Sequence, residues 1–541
     1  MAMLALSVRP AQGACLQCEG EAVKLVCVAL RLQGRGAAVE FGLRPKDEVV
    51  VQDARDVVKI LAFARQRGGH VTFRGAGTSL SGQADTDDTL VNVRGFSTCL
   101  VLDHGARVRL GSGVVLNRAN RELERYGYRL GPDPGSADVA TVGGVIANNA
   151  AGMRCGLEWD AYSTVQAMTL VLASGSVIDT SSPAGEREFA TAAPMLARGL
   201  EDLRGTIANN SALVERIGRK FAIRNTMGYR LSAFLDADSP AEIFRRLVVG
   251  SEGTLAFIAD ATFRTRAEPA VIAAGMLLCA SVADAVAAVP ALMAAGARAV
   301  EMMTRRALKA ASEVTPGAHA LWDCIQDGSV ALLVEFGAET RAELLTSFRA
   351  LHSDLRVRGL IRGATLSCDR SAIAGFWSAR RDIFPGVSGA MHELVEDVCV
   401  EPAKLGDFVS DLQETLVRWG FDTEIAGHVS VGNVHFQLAL DPASPADIAR
   451  YEGLTEELVA IVVDRYDGTL KGEHGTGRRM LPFVEREWGA EAAKIMREIK
   501  QLADPDGVLN RGAVIAYESE EERTHDDEHS RPSRAGALPY R

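Results

Sequence analysis

The sequence predicts an α+β protein in which a domain built on glycine loops is followed by a second domain that covers it. Three observations carry that expectation. Glycine-rich loops stand between strand-like runs instead of opening helices, the second half alternates strands with amphipathic helices, and the stretch from Val434 to Leu440 alternates apolar and polar residues with the period of a strand. At 541 residues the chain exceeds one ordinary core, and two or three domains are expected. Hydrophobic residues at 47% and charged residues at 24% are the composition of a globular chain. A formal charge of -11 provides no basic field for nucleic acid or an anionic membrane surface, so an anionic ligand must be met by local arginines or backbone N–H groups.

The nine cysteines are an odd number spread over a long chain, which fits a reducing cytoplasm better than a disulfide framework. Only Cys15 and Cys18 form a CxxC, and no group of four suits an iron–sulfur centre. The opening MAMLALSVRP lacks a basic region ahead of its apolar run and makes a poor secretory signal. The longest apolar stretch, Val271 to Ala283, is too short to span a bilayer and reads as a buried strand followed by an Ala-rich helix. Any membrane association is therefore expected to be peripheral.

Residues 1–43 show no sustained period and are unassigned. After Asp53, the residues Val57, Ile60, Leu61 and Ala64 recur with helical spacing, and Gly68-Gly69 stops the helix. The strand HVTF follows, then the loop RGAGTSLSGQA, then strand-like TLVNV. A dinucleotide fingerprint of the strand–loop–helix kind has the opposite order. What remains is a nest of backbone N–H groups with the Thr78 and Ser79 hydroxyls, able to cradle an anion such as a diphosphate. A second segment, GPDPGSADVATVGGVIANNAAGMRCG, is rich in small residues and suits backbone lying against a flat ligand. VQAMTLVLASGSVIDT reads as a hairpin, and VVGSEGTLAFIADATFRT sets Gly-Ser-Glu-Gly between apolar strands. Together these suggest one α+β nucleotide-binding domain over residues 44–268.

RGAGTSLSGQA, GPDP, TVGGVIANNAAG, NTMGY, GSEGTLAFI, GHVSVGNVHF and KGEHGTGR, in this order, resemble the FAD-linked D-2-hydroxy-acid dehydrogenases. This group includes D-lactate, D-2-hydroxyglutarate and glycolate dehydrogenases. The resemblance covers residues 44–515. It implies a two-subdomain FAD-binding domain of the vanillyl-alcohol-oxidase (PCMH) type, a substrate-cap and metal-site domain with an antiparallel sheet over 269–475, and a helical segment over 476–515 that returns to the flavin. By the same resemblance, Arg74, Gly75, Ala76, Gly77, Thr78 and Ser79 would hold the FAD diphosphate. Pro132, Asp133, Ser136, Thr141, Gly143, Gly144, Asn148, Asn149, Gly152 and Glu252 would line the rest of the cofactor, with Ile258 at the adenine end and Asn510 on the flavin side.

His428, His435 and the Glu473-His474 pair carry the remaining chemistry. Two histidines with one carboxylate form a ligand set known for zinc and for Fe(II), although a buried histidine is as often simply hydrogen-bonded, and spacing alone leaves both readings open. The resemblance implies that His428, His435 and Glu473 bind a divalent metal (Zn, Mn or Fe) and that His474 is the catalytic base. Oxidising a 2-hydroxy acid needs removal of the hydroxyl proton as hydride leaves carbon. A metal makes that hydroxyl acidic, an imidazole takes the proton, and flavin N5 takes the hydride.

In FWSARRDIFPGVSG the resemblance puts the substrate-carboxylate arginine at Arg380, with Arg381 beside it. Where relatives acting on 2-hydroxyglutarate carry a basic residue, this chain has Glu396, which would repel a second carboxylate and favour a monoacid such as D-lactate. Reduced flavin would pass electrons to a quinone, a cytochrome, an electron-transfer protein or a separate iron–sulfur subunit. D-2-hydroxyglutarate or glycolate oxidation, and a non-catalytic flavin-binding subunit, stay open as alternatives. A nonheme Fe(II) oxygenase would share the triad but not the glycine loops. Residues 516–541 read as an acidic disordered tail in which His525 and His529 are solvated.

Overall fold

The computed structural model describes residues 43–181, 183–304, 325–326, 328–381 and 392–516. The N-terminal segment with its CxxC, the part of the FWSARRDIFPGVSG motif beyond Arg381, and the acidic tail lie outside the described residues.

Three larger sheets organise the described residues. The first is parallel, built from β1 (Asp47–Val50), β2 (Val71–Arg74) and β3 (Thr89–Asn92) in the order β1-β3-β2. The helix Ala54–Gln66 connects β1 to β2. Its first turn is capped by Asp53, whose carboxylate accepts the Arg55 and Asp56 N–H groups at 2.9 and 3.2 Å. Val57, Ile60, Leu61 and Ala64 are its buried face, as the spacing predicts.

The second sheet is antiparallel. It contains β4 (Cys99–Leu102), β5 (Arg107–Gly111), β7 (Val165–Leu172), β8 (Val177–Asp179) and β9 (Ala256–Arg264) in the order β4-β5-β9-β7-β8, while β6 (Tyr128–Arg129) pairs separately with β10 (Arg266–Ala267). β7 and β8 form the expected hairpin around Ser174-Gly175-Ser176.

Two expectations in this half need correction. The segment TVGGVIAN, read as glycine-rich backbone lying against a flat ligand, packs a core of its own: Val142–Asn148 is a helix that buries Val142, Val145 and Ile146 and ends at Asn149, whose backbone is left-handed (φ 50°). The residues before GSEG are not a strand either. Pro240–Val248 is a helix started by Ser239, whose hydroxyl accepts the Glu242 N–H at 3.3 Å, with Pro240 in its first turn.

The third sheet has seven antiparallel strands: β11 (Val271–Cys279), β12 (Ala299–Met303), β13 (Val330–Ala338), β14 (Gly363–Ser367), β15 (His392–Cys399), β16 (Ile425–His428) and β17 (Asn433–Leu440), in the order β14-β11-β13-β12-β16-β17-β15. Val271 to Ala283 is the expected strand and helix start, the helix being Val282–Ala294. On β17, Val434, Phe436, Leu438 and Leu440 are buried on one face, and His435 on the opposite face is buried as well.

Arg154 ties this sheet to the glycine-loop half. It donates to Glu335 at 3.0 Å, pairs with Asp133, and lies 4.0 Å over the Trp377 ring, whose Nε1 also donates to Glu335 at 3.0 Å. The chain then returns through the helix Ala490–Ala503 to β2, where Val71 donates to the Val508 carbonyl and Asn510 donates to the Val71 carbonyl, both at 2.8 Å. Among the described residues no helix is long and apolar enough to cross a membrane.

Candidate active site

A cleft of about 400 Å³ is lined by β2, β9 and the glycine-bearing segments around them. Its walls include Arg74, Gly75, Ala76, Gly77, Thr78, Ser79, Ser136, Thr141, Gly143, Gly144, Asn148, Glu252 and Ile258, and Glu473 and His474 reach it from the loop beyond the helix Pro445–Val459. A Cβ on Gly75 would stand 2.0 Å from Thr141 Oγ1, so only glycine lets the phosphate-type loop press against this wall. Thr141 Oγ1, Ser112 Oγ and Arg74 Nε are buried without a hydrogen-bond partner among the described residues. Buried polar atoms are nearly always paired, so these three in a groove of small residues suit a polar ligand, and a dinucleotide diphosphate fits them.

The other cofactor candidates do not line the cleft. Asn510 spans its back, accepting from Thr72 Oγ1 at 3.0 Å and donating to the carbonyls of Gln83 and Glu252 at 3.0 and 2.8 Å. Asn149 is spent on Asp160 and the Tyr162 N–H, both at 3.0 Å. Asp133 is ion-paired to Arg129 and Arg154, and buried Pro132 precedes it. Gly152 lies so close to Asp133 that a Cβ would meet its carbonyl oxygen at 1.9 Å, and its N–H donates to Glu473 Oε2 at 2.6 Å.

The histidine and glutamate candidates meet. His428 Nε2 and His435 Nε2 stand 2.9 and 3.3 Å from the same oxygen, Glu473 Oε1. The three donor atoms lie within 4.8 Å of one another, and all three residues are buried. Two imidazoles and a carboxylate converging in this way fit a borderline divalent cation. Burial would pull the His428 imidazole down, but Glu301 and Glu473 outweigh it and hold His428 above its ordinary value. Burial takes His435 down to about 4. Burial acts upward on Glu473, yet His428 and its hydrogen bonds hold that carboxyl well below the usual range.

Sequence reasoning missed the residues that hold this cluster. Asp397 on β15 accepts the backbone N–H groups of Glu473 and His474 at 2.8 and 2.7 Å and lies 3.4 Å from His435 Nδ1 and 3.9 Å from His474 Nδ1. Burial favours its neutral form, but His474 and His435 dominate and keep it ionised below the ordinary range. Arg224 donates to the Gly152 carbonyl at 2.6 Å and reaches Glu473 Oε2 at 3.4 Å. Glu301 on β12 accepts from His428 Nδ1 at 2.7 Å and from Arg380 Nε at 2.8 Å. The available signal was a carboxylate flanked by apolar strand residues, the single Glu301 of AVEMM and the Glu396-Asp397 pair of LVEDVCV, since such a group must be paired to be buried.

The two sites share a wall. Asn148 donates to the Glu473 carbonyl at 2.7 Å, and Gln83 donates to the His474 carbonyl at 2.5 Å. Arg380 is buried on the helix Arg370–Arg381, with Nε turned to Glu301. Glu396 corrects the charge-repulsion expectation. It projects from β15 on the face opposite Asp397, into a buried network with Lys471 Nζ at 2.9 Å, Tyr451 Oη at 3.0 Å and Arg479 at 3.3 Å. Its charge is compensated there and does not face the cleft.

A cleft of this kind, walled by glycine loops and reached by an adjacent Glu-His pair, is that of a flavin oxidoreductase, and sequence comparison agrees. Residues 45–181 match the FAD binding domain and residues 268–514 match the FAD linked oxidases C-terminal domain. The chain belongs to the FAD-linked oxidase family, with FAD as the cofactor its first domain is built to hold. It is 28% identical over 479 residues to a D-lactate dehydrogenase of Archaeoglobus fulgidus, covering 86% of this chain and 90% of that one. It is 26% identical over 491 residues to a D-2-hydroxyglutarate dehydrogenase of Haemophilus influenzae, covering 86% of this chain but 47% of the relative, so it spans about half the length of that protein. A solved structure of alkyldihydroxyacetonephosphate synthase superposes with a TM-score of 0.58 at 14% identity, over 86% of this chain and 76% of that one, and shares the fold.

Proposed function

We propose that the protein oxidises a D-2-hydroxy acid to the 2-oxo acid, with D-lactate as the leading substrate, and passes the electrons to a quinone, cytochrome or protein carrier. The observation that carries this reading is that Glu473 and His474, adjacent in sequence, both face the flavin cleft while Glu473 also belongs to the His428–His435 cluster. D-Lactate leads because the D-lactate dehydrogenase is matched over 90% of its length, whereas the D-2-hydroxyglutarate dehydrogenase is matched over 47%.

Bound FAD supplies a hydride acceptor, and a divalent cation held by His428, His435 and Glu473 would make the substrate hydroxyl more acidic. His474 Nδ1 is turned toward Asp397, which leaves Nε2 to receive the hydroxyl proton. The Asp397 carboxylate balances the imidazolium that results. Arg380 grips the substrate carboxylate with a guanidinium whose Nε is already fixed by Glu301. Asn148 and Gln83 hold the backbone of Glu473 and His474 against the flavin wall, so that base and cofactor keep their spacing.

The test is anaerobic bleaching of the flavin band by a panel of D- and L-2-hydroxy acids, before and after chelation. D-Lactate should bleach the untreated protein, and chelated protein should stay yellow and unreduced until Mn²⁺ or Zn²⁺ is returned. Bleaching by L-acids alone, or by none, defeats the proposal.

A further inference from the structure

We infer that Glu301 is a positioning residue that couples the cation site to the substrate arginine, an inference that rests on the proposed function of His428 and Arg380. Glu301 stands in the middle of β12 with no exposed surface, between Val300 and Met302, which are buried as well. An ionised carboxylate in such a strand persists only when it is paired. Both of its oxygens are engaged. Oε1 and Oε2 lie 2.7 and 2.8 Å from His428 Nδ1, and Oε2 also receives Arg380 Nε at 2.8 Å.

The sheet imposes this meeting. β12 and β16 pair antiparallel with Glu301 directly opposite His428, so the two side chains rise from the same face at neighbouring positions. When the ring is neutral, a carboxylate at Nδ1 holds the proton there and leaves Nε2, the atom 2.9 Å from Glu473 Oε1, as the one able to ligate a cation. Such a carboxylate–histidine pair orients an imidazole ligand and raises its basicity. Arg380 approaches from the helix Arg370–Arg381, on a different element, and the same carboxylate fixes one edge of its guanidinium. One buried group therefore sets two distances at once, that of the imidazole to the cation and that of the guanidinium to the substrate carboxylate.

The experiment uses the full-length flavoprotein and Glu301→Gln, which keeps the side-chain volume. Flavin content reports folding. Mn²⁺ binding to chelated, substrate-free protein is measured by calorimetry, and KM for D-lactate is measured at saturating Mn²⁺. Glu301→Gln should weaken Mn²⁺ binding about 10- to 100-fold and separately raise KM at least about tenfold with flavin retained. The KM effects of Glu301→Gln and Arg380→Lys should be non-additive in the double variant, because they act on one interaction. If Glu301→Gln yields no flavin-loaded protein, Glu301→Asp, which keeps the charge but withdraws it from both partners, should show the same two losses. Wild-type Mn²⁺ affinity or wild-type KM in the flavin-loaded variant overturns the coupling. A wild-type protein that binds neither Mn²⁺ nor Zn²⁺ overturns the functional reading itself, and the coupling with it.

Discussion

The rings of His435 and His474 lie face to face, with centroids 4.9 Å apart and planes inclined by 13°, and Asp397 sits along their Nδ1 edges. Two stacked imidazolium ions would repel, but burial takes His435 down to about 4, so one ring of the pair stays neutral at neutral pH. In the proposed function the other ring, His474, is the base. His474→Ala should keep its yellow flavin and lose about 10²- to 10⁴-fold in the rate of flavin reduction by D-lactate. Stopped-flow reduction at the wild-type rate would remove His474 from the mechanism.

Glu396 and Lys471 form a buried pair at 2.9 Å on the far side of the same strand. Removing one partner strands the other charge in the interior, so Glu396→Gln should lose about 3–5 kcal/mol of stability in denaturant unfolding. The ratio of kcat/KM for D-lactate to that for D-2-hydroxyglutarate should not move, since the carboxylate does not reach the cleft. A changed ratio would restore a selective role for this position.

Burial pushes the Glu252 carboxyl up to about 8 even though the Gly477 N–H donates to it at 3.0 Å. Below about pH 4.3 folded and unfolded chains both carry the proton, and folding bears no cost from it. From there to about pH 8 the folded form alone holds the proton, so stability declines by about 1.4 kcal/mol per pH unit until the folded carboxyl also ionises. Glu252→Gln should flatten that decline and gain most over the wild type at the alkaline end. Melting temperatures from about pH 5 to pH 9 measure it, and parallel profiles for the two proteins would contradict it.

Gly152 has a positive φ of 88° and a neighbouring carbonyl oxygen 1.9 Å from where a Cβ would be. Backbone strain alone costs about 1–3 kcal/mol at such a position, and here the Asp133 backbone must also retreat. Gly152→Ala should lower the melting temperature and weaken the grip on Glu473 Oε2, read as reduced Mn²⁺ uptake. Wild-type values for both would show that the wall yields without consequence.

The parts of the site that could be read in the sequence are those written in contiguous residues. RGAGTS and KGEHGTG are single loops, and His428 and His435 flank one turn, so their chemistry survives without knowledge of the fold. Glu301 and Asp397 could not be paired with them, because strand register alone sets Glu301 opposite His428 and Asp397 opposite His435. The helix Val142–Asn148 was hidden by its own composition. Gly143 and Gly144 argue against a helix, and what overrides them is the burial of Val142, Val145 and Ile146. In SPAEIFRRLV the Ser-Pro start was the overlooked sign of a helix ahead of GSEG.

Val508 and Asn510 close the edge of β2 beside the loop that begins at Arg74, and the Asn510 side chain pins the carbonyls of Gln83 and Glu252. During synthesis the first nucleotide-facing loop leaves the ribosome more than four hundred residues before the segment that locks it. Cofactor capture therefore belongs to the end of biogenesis, and a nascent chain halted before Val508 should exchange flavin freely even with every glycine loop already made.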